Sequence, residues 1–152
     1  MKHLIFYTLL LCASLSYPLF AQSTETGTLE IRFTGIRTEE GSMAVGINTS
    51  DEGWPKKAQI EVQLPKENMK DSVFVARIPD LPFGTLAISV LDDVNDNVKM
   101  DQTLGIPKEG FGFSNNASIR FLSPPKYESC TFEFSESMQQ ISIKLEYWGK
   151  DK

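Results

Sequence analysis

The chain has 152 residues, 41% of them hydrophobic and 23% charged, with a net charge of −5. An acidic chain whose longest basic cluster is Lys56-Lys57 has nothing to hold a phosphate backbone or an anionic lipid surface, so nucleic acid and membrane-surface binding are excluded. Its one histidine, His3, and two cysteines, Cys12 and Cys130, narrow the catalytic and metal chemistry further.

Residues 1–21 read as a secretory signal peptide. Lys2 and His3 give a short positive start, an apolar stretch runs from Leu4 to Phe20, and Ala21 is a small residue at a cleavage point. Ser14, Ser16 and Pro18 interrupt the apolar stretch, which makes it a poor spanning helix. Cys12 is not a lipid-anchor site, because Leu11 precedes it and apolar residues follow it. Cleavage after Ala21 leaves 131 of the 152 residues, with 14 basic and 20 acidic side chains. That length suits one domain, residues 22–152, with one core. Export is therefore expected, to the periplasm, the cell surface or beyond.

Cleavage also removes His3 and Cys12. Without histidine no Ser-His-Asp or Cys-His site can be built, and one thiol makes neither an internal disulfide nor a zinc site. Carboxylates, amides and hydroxyls remain, so the chain reads as a non-enzyme.

From residue 29 onward the pattern alternates with period two. Leu29, Ile31 and Phe33 share one face, and Met43, Val45 and Ile47 share the next. Ile60, Val62 and Leu64 follow, then Phe74, Ala76 and Ile78, then Leu86, Ile88 and Val90. Cys130, Phe132 and Phe134 form a sixth set, and Ile141, Ile143, Leu145 and Tyr147 a seventh; Ile119 and Phe121 offer a short eighth. The expected fold is all-β: a seven- to eight-stranded antiparallel β-sandwich of Ig-like or prealbumin-like type, with a small closed barrel as the alternative. Ser135 to Gln139 has hairpin length. Cys130 is expected as a buried core residue.

More than 30 residues between the fifth set and Pro125 show little strand pattern, yet Met100, Leu104, Ile106, Phe111 and Phe113 anchor them. With Asp93 as position one, oxygen-bearing side chains fall at one, three, five and nine: Asp93, Asn95, Asn97 and Asp101. That spacing wraps a chain around calcium, with the Lys99 carbonyl at seven and Glu109 as the nearest acid to close the shell. Val98 stands where such loops carry glycine, and Leu104 where they carry the bidentate acid. Positive φ is costly for a β-branched residue, so the loop is expected to turn differently or to bind weakly. Phe111 and Phe113 are expected either to plug the end of the sandwich or to form a recognition patch, and with Asn115 and Asn116 they are the candidate binding residues.

The run Gly84 to Asn116 resembles the bacterial secreted family catalogued as domain of unknown function 2141. The resemblance rests on Asp93, Asn95, Asn97 and Asp101, then Gly105, Pro107, Glu109, Gly110, Gly112, Phe113, Ser114, Asn115 and Asn116; Val98 departs from the glycine usual in the family. It implies a transthyretin-like or prealbumin-like sandwich exported by a Gram-negative bacterium, and it brings no established activity. The resulting expectation is an envelope or extracellular module that binds a protein or a glycan, with calcium as the candidate ion. A carboxylate-based glycosidase and a small-ligand carrier are the alternatives.

Overall fold

Five of the alternating sets become long strands in the computed structural model, which describes residues 25–120 and 123–148. They are β1 (Thr26–Thr34), β2 (Ser42–Asn48), β3 (Ile60–Pro65), β4 (Val73–Pro82) and β5 (Gly84–Asp93). Two short strands follow, β6 (Gln102–Thr103) and β7 (Ile106–Pro107), then β8 (Gly110–Phe113) and a 3-10 turn at Ser114–Asn116. A four-residue helix, α1 (Tyr127–Cys130), leads into β9 (Thr131–Phe134), and β10 (Met138–Lys144) ends the set. The expected signal segment, residues 1–21, lies outside the described residues.

The core strands form two sheets with no closure into a barrel, and β6 and β7 pair as a separate two-stranded sheet. One core sheet has the order β10-β1-β4; the other runs β3-β2-β5-β8, with β9 also paired to β5. The inward faces of both sheets supply one core, in which Leu29, Ile31, Phe33, Met43, Ile47 and Ile88 are at most 1% exposed. Each such side chain contributes about 1.5–3 kcal/mol by leaving water. β8 and β9 share the same edge of β5. β8 pairs with Ser89–Asp92 and β9 with Gly84–Ala87, so Ile88 falls between them. Among the described residues no helix is long and apolar enough to cross a membrane.

Several expectations need correction. β10 runs parallel to β1, from Thr28↔Met138 to Thr34↔Lys144, whereas the other strand pairs are antiparallel. Ser135–Gln139 is not a hairpin: β9 belongs to one sheet and β10 to the other, so the connection crosses between layers. Cys130 ends α1 instead of joining the strand face of Phe132 and Phe134; it is fully buried in a second apolar cluster with Ala87, Phe111 and Phe113. Ile119 lies in irregular chain beside an isolated Arg120↔Ser123 bridge, and Phe121 is outside the described residues. Leu145 and Tyr147 continue the apolar face of β10 beyond the strand itself.

Candidate functional site

The segment from Gly110 to Asn116 is built as a clasp between the two sheets. A Cβ on Gly110 would lie 2.4 Å from the Tyr147 ring, and one on Gly112 would lie 2.8 Å from Ile143, so only glycine lets β8 pass this close. Phe111 exchanges backbone hydrogen bonds with Glu146, which ties the second sheet to the chain after β10. Ser114, 1% exposed, accepts the Ile88 N–H at 2.9 Å and donates to the Cys130 carbonyl at 2.5 Å. It thus fills the gap in the ladder where β8 ends and β9 begins. Asn115 donates to the Ser129 and Thr131 carbonyls, and Asn116 accepts the Lys144 N–H. Both asparagines have positive φ, 57° and 50°. Phe111 and Phe113 are only 4% and 7% exposed and pack on the outer face of the five-stranded sheet, not at the end of the core. The polar side chains of this segment are thus spent on backbone groups, and its aromatic rings on packing.

Asp93, Asn95, Asn97 and Asp101 share one loop. The Asp93 carboxylate, fully buried, accepts the Asn97 N–H at 3.1 Å and the Val98 N–H at 2.7 Å. Asn95 and Asn97 donate to Asp101, and their own carbonyl oxygens accept the N–H groups of Asn97 and Lys99. Val98 takes φ 58°, so the loop makes the turn that glycine would make; of the two expectations, a different turn or weak ion binding, the first is not met. Glu109, 5% exposed, accepts the Val94 N–H and the Asp101 N–H and so closes the loop at its base. Burial pushes the Glu109 carboxyl up from its ordinary value; the two N–H donors oppose this, and the charges of Asp101 and Asp93 add to it. β6 and β7 meet through Leu104 (φ 54°) and Gly105 (φ 79°), a tight turn that leaves Leu104 98% exposed.

One polar cluster was not expected. Asp92, on the inward face of β5, is fully buried; Lys66, just after β3, reaches it with Nζ 2.6 Å from Oδ1, and neither side chain is exposed. Lys66 also donates to the Thr38 carbonyl at 3.0 Å. The Tyr147 hydroxyl donates to the second Asp92 oxygen and accepts the Arg37 N–H at 3.2 Å. The Arg37 guanidinium lies 4.3 Å from the centre of the Tyr147 ring. Burial, then the contact with Asp92, holds the Tyr147 hydroxyl well above the usual tyrosine range. A lysine next to Pro65 reads as a surface turn, so only the tertiary contact identifies Lys66.

An open trough of about 950 Å³ lies on the outer face of the five-stranded sheet. Its floor is low because Ala44, Gly46 and Ser89 are small; Phe111, Trp148 and Met100 form an apolar wall. Trp148 meets Phe111 edge to face at 5.6 Å. Glu61, Gln63 and Gln102 bring polar groups to the rim. The alternating reading places Glu61 and Gln63 on a wet face but gives no sign that the face is concave. Cys130 offers no nucleophile: it is fully buried, and burial pushes its thiol up.

The bacterial family described as "Uncharacterized protein conserved in bacteria (DUF2141)" matches residues 31–142. No curated protein and no solved structure matches the chain significantly. The matched span runs from β1 into β10 and contains the loop, the clasp and the Asp92 cluster's Lys66, which makes this chain a member of that uncharacterised bacterial family.

Proposed function

We propose that this protein is an exported, non-catalytic binding module that holds a glycan chain of the cell envelope in the trough, with the Asp93–Asp101 loop shaped by calcium. The observation that carries the glycan reading is the composition of the trough. The half-buried Trp148 and Met100, backed by Phe111, form an apolar wall beside side chains of Glu61, Gln63 and Gln102 that make no hydrogen bond to the other described residues. Sugar rings need that combination, an apolar face to stack on and unpaired donors and acceptors for hydroxyls. The signal-like sequence at residues 1–21 supports export.

Calcium is compatible with the oxygen-rich donor set of Asp93, Asn95, Asn97 and Asp101. Their oxygens already accept N–H groups, yet each has a second lone pair to offer, and the ion would offset the repulsion between Asp93 and Asp101. Glu109 serves better as the base of the loop than as a ligand, since both of its oxygens accept backbone N–H groups.

Binding of the purified protein to envelope glycan fragments, measured by calorimetry with and without calcium, tests the reading. Wild-type binding lost in Trp148→Ala and Gln63→Ala, with unchanged unfolding temperatures, supports it. Retention of an envelope protein instead of a glycan moves the partner class, and turnover of a glycan refutes the non-catalytic part. For calcium, a saturating rise in unfolding temperature that magnesium does not reproduce and that Asp101→Ala abolishes is expected; no rise at millimolar calcium refutes that part.

A further inference from the structure

We propose that Lys66 and Asp92 condense into an intramolecular amide bond that cross-links the end of β3 to β5. Nζ and Oδ1 are 2.6 Å apart, and both side chains are wholly removed from solvent. Two full charges in such a place carry a large desolvation cost, which conversion to a neutral amide removes. Holding amine and carboxyl together in a packed site also supplies the entropy that makes such a condensation slow in solution.

The neighbours are arranged for the product as well as for the ion pair. One proton passes from Nζ to Oδ1, which gives an amine and a carboxylic acid. The Nζ lone pair attacks Cγ, a C–N bond forms, and the Cγ–Oδ1 bond breaks. Oδ1 leaves as water with two of the three original ammonium protons. The third stays as the amide N–H and has the Thr38 carbonyl, already 3.0 Å from Nζ, as its acceptor. Oδ2 becomes the amide carbonyl and keeps the Tyr147 hydroxyl as its donor. During attack negative charge grows on Oδ2, where that hydroxyl stabilises it. No oxidant, reductant or co-reactant is required, and the buried setting shields the product from hydrolysis. Among the described residues the one cysteine, Cys130, is a free thiol, so the amide would be the covalent tie of the fold.

Intact mass spectrometry of the purified protein, with its N-terminus determined by sequencing, tests the proposal. The expected mass is lighter than the sequence mass by one water, and a protease digest yields a branched peptide joining the segments that carry Lys66 and Asp92. Lys66→Met and Asp92→Ala should both show the full sequence mass. Tyr147→Phe should still convert, roughly a hundredfold more slowly. Wild-type protein with a folded circular dichroism spectrum, the full mass and no branched peptide overturns the proposal. So does a loss of water that maps to any linear peptide. Neither reading depends on a variant that fails to fold.

Discussion

Replacing Ser114 by alanine should strand two backbone groups at once. Its hydroxyl accepts the Ile88 N–H and donates to the Cys130 carbonyl, and the residue is 1% exposed, so water cannot take over either bond. A buried donor or acceptor left without a partner costs about 1–3 kcal/mol, and two of them that relax in part give roughly 2–4 kcal/mol. For a domain of this size that corresponds to a fall in unfolding temperature of roughly 10 °C. Urea unfolding followed by tryptophan fluorescence measures the change, with an unaltered m-value showing that the unfolded state has not shifted. Ser142→Ala serves as the control. Its hydroxyl also bonds a carbonyl, that of Arg32, but at an exposed site, and the cost should stay within about 0.5 kcal/mol. If Ser114→Ala and Ser142→Ala lose the same small amount, the serine is not the tie between β5 and β9.

Other substitutions read other parts of the clasp and loop. Gly110→Ala pushes a methyl group into the Tyr147 ring and should cost about 1–3 kcal/mol by urea unfolding; a neutral result refutes the close approach. Val98→Gly relieves a β-branched residue held at φ 58° and should raise stability by about 1 kcal/mol, whereas a loss would show that the loop does not adopt that turn in solution. Glu109 has a folded value above its ordinary 4.5, so the stabilisation from its titration is present below that value and is lost as pH rises through the raised one. The advantage of wild type over Glu109→Gln in unfolding temperature should therefore shrink from about pH 4 to pH 7, and a gap independent of pH refutes the upward shift.

β1, β3, β4, β9 and β10 were legible because polar residues alternate with apolar ones along them, and β2 and β5 because inward apolar residues alternate with the small residues Ala44, Gly46, Ala87 and Ser89, in each case a period-two signature. β8 carries none. Gly110, Phe111, Gly112 and Phe113 are all buried, because Tyr147 and Ile143 lie over the glycines and the second cluster covers the phenylalanines. A strand covered on both sides has no polar alternate, and glycine and phenylalanine in turn read as a loop. The pairing of β10 with β1 was illegible for a different reason. Nothing local to residues 138–144 distinguishes a partner next in sequence from one at the far end of the chain. Lys66 and Asp92 illustrate the same limit among polar residues. The first looks like a turn lysine and the second like the start of an acidic loop, and only the packing of Tyr147 above them makes them a buried pair. Asp93, Asn95, Asn97 and Asp101 do meet in one hydrogen-bonded loop, because residues so closely spaced in sequence are held together by the turn itself.

The parallel pairing of β1 with β10 also sets the order in which the fold can form. Gln140 meets Glu30 across 110 residues of intervening chain, so β1 waits for its second neighbour until nearly the whole sequence is available. Within the five-stranded sheet only β2 and β3 are consecutive in sequence, but every pairing in it spans less chain than that of β1 with β10. Closing so long a loop costs entropy before any contact rewards it, so this pairing is expected to form late in folding. A chain emerging from its N-terminus is thus kept from completing its first sheet until its last strand arrives.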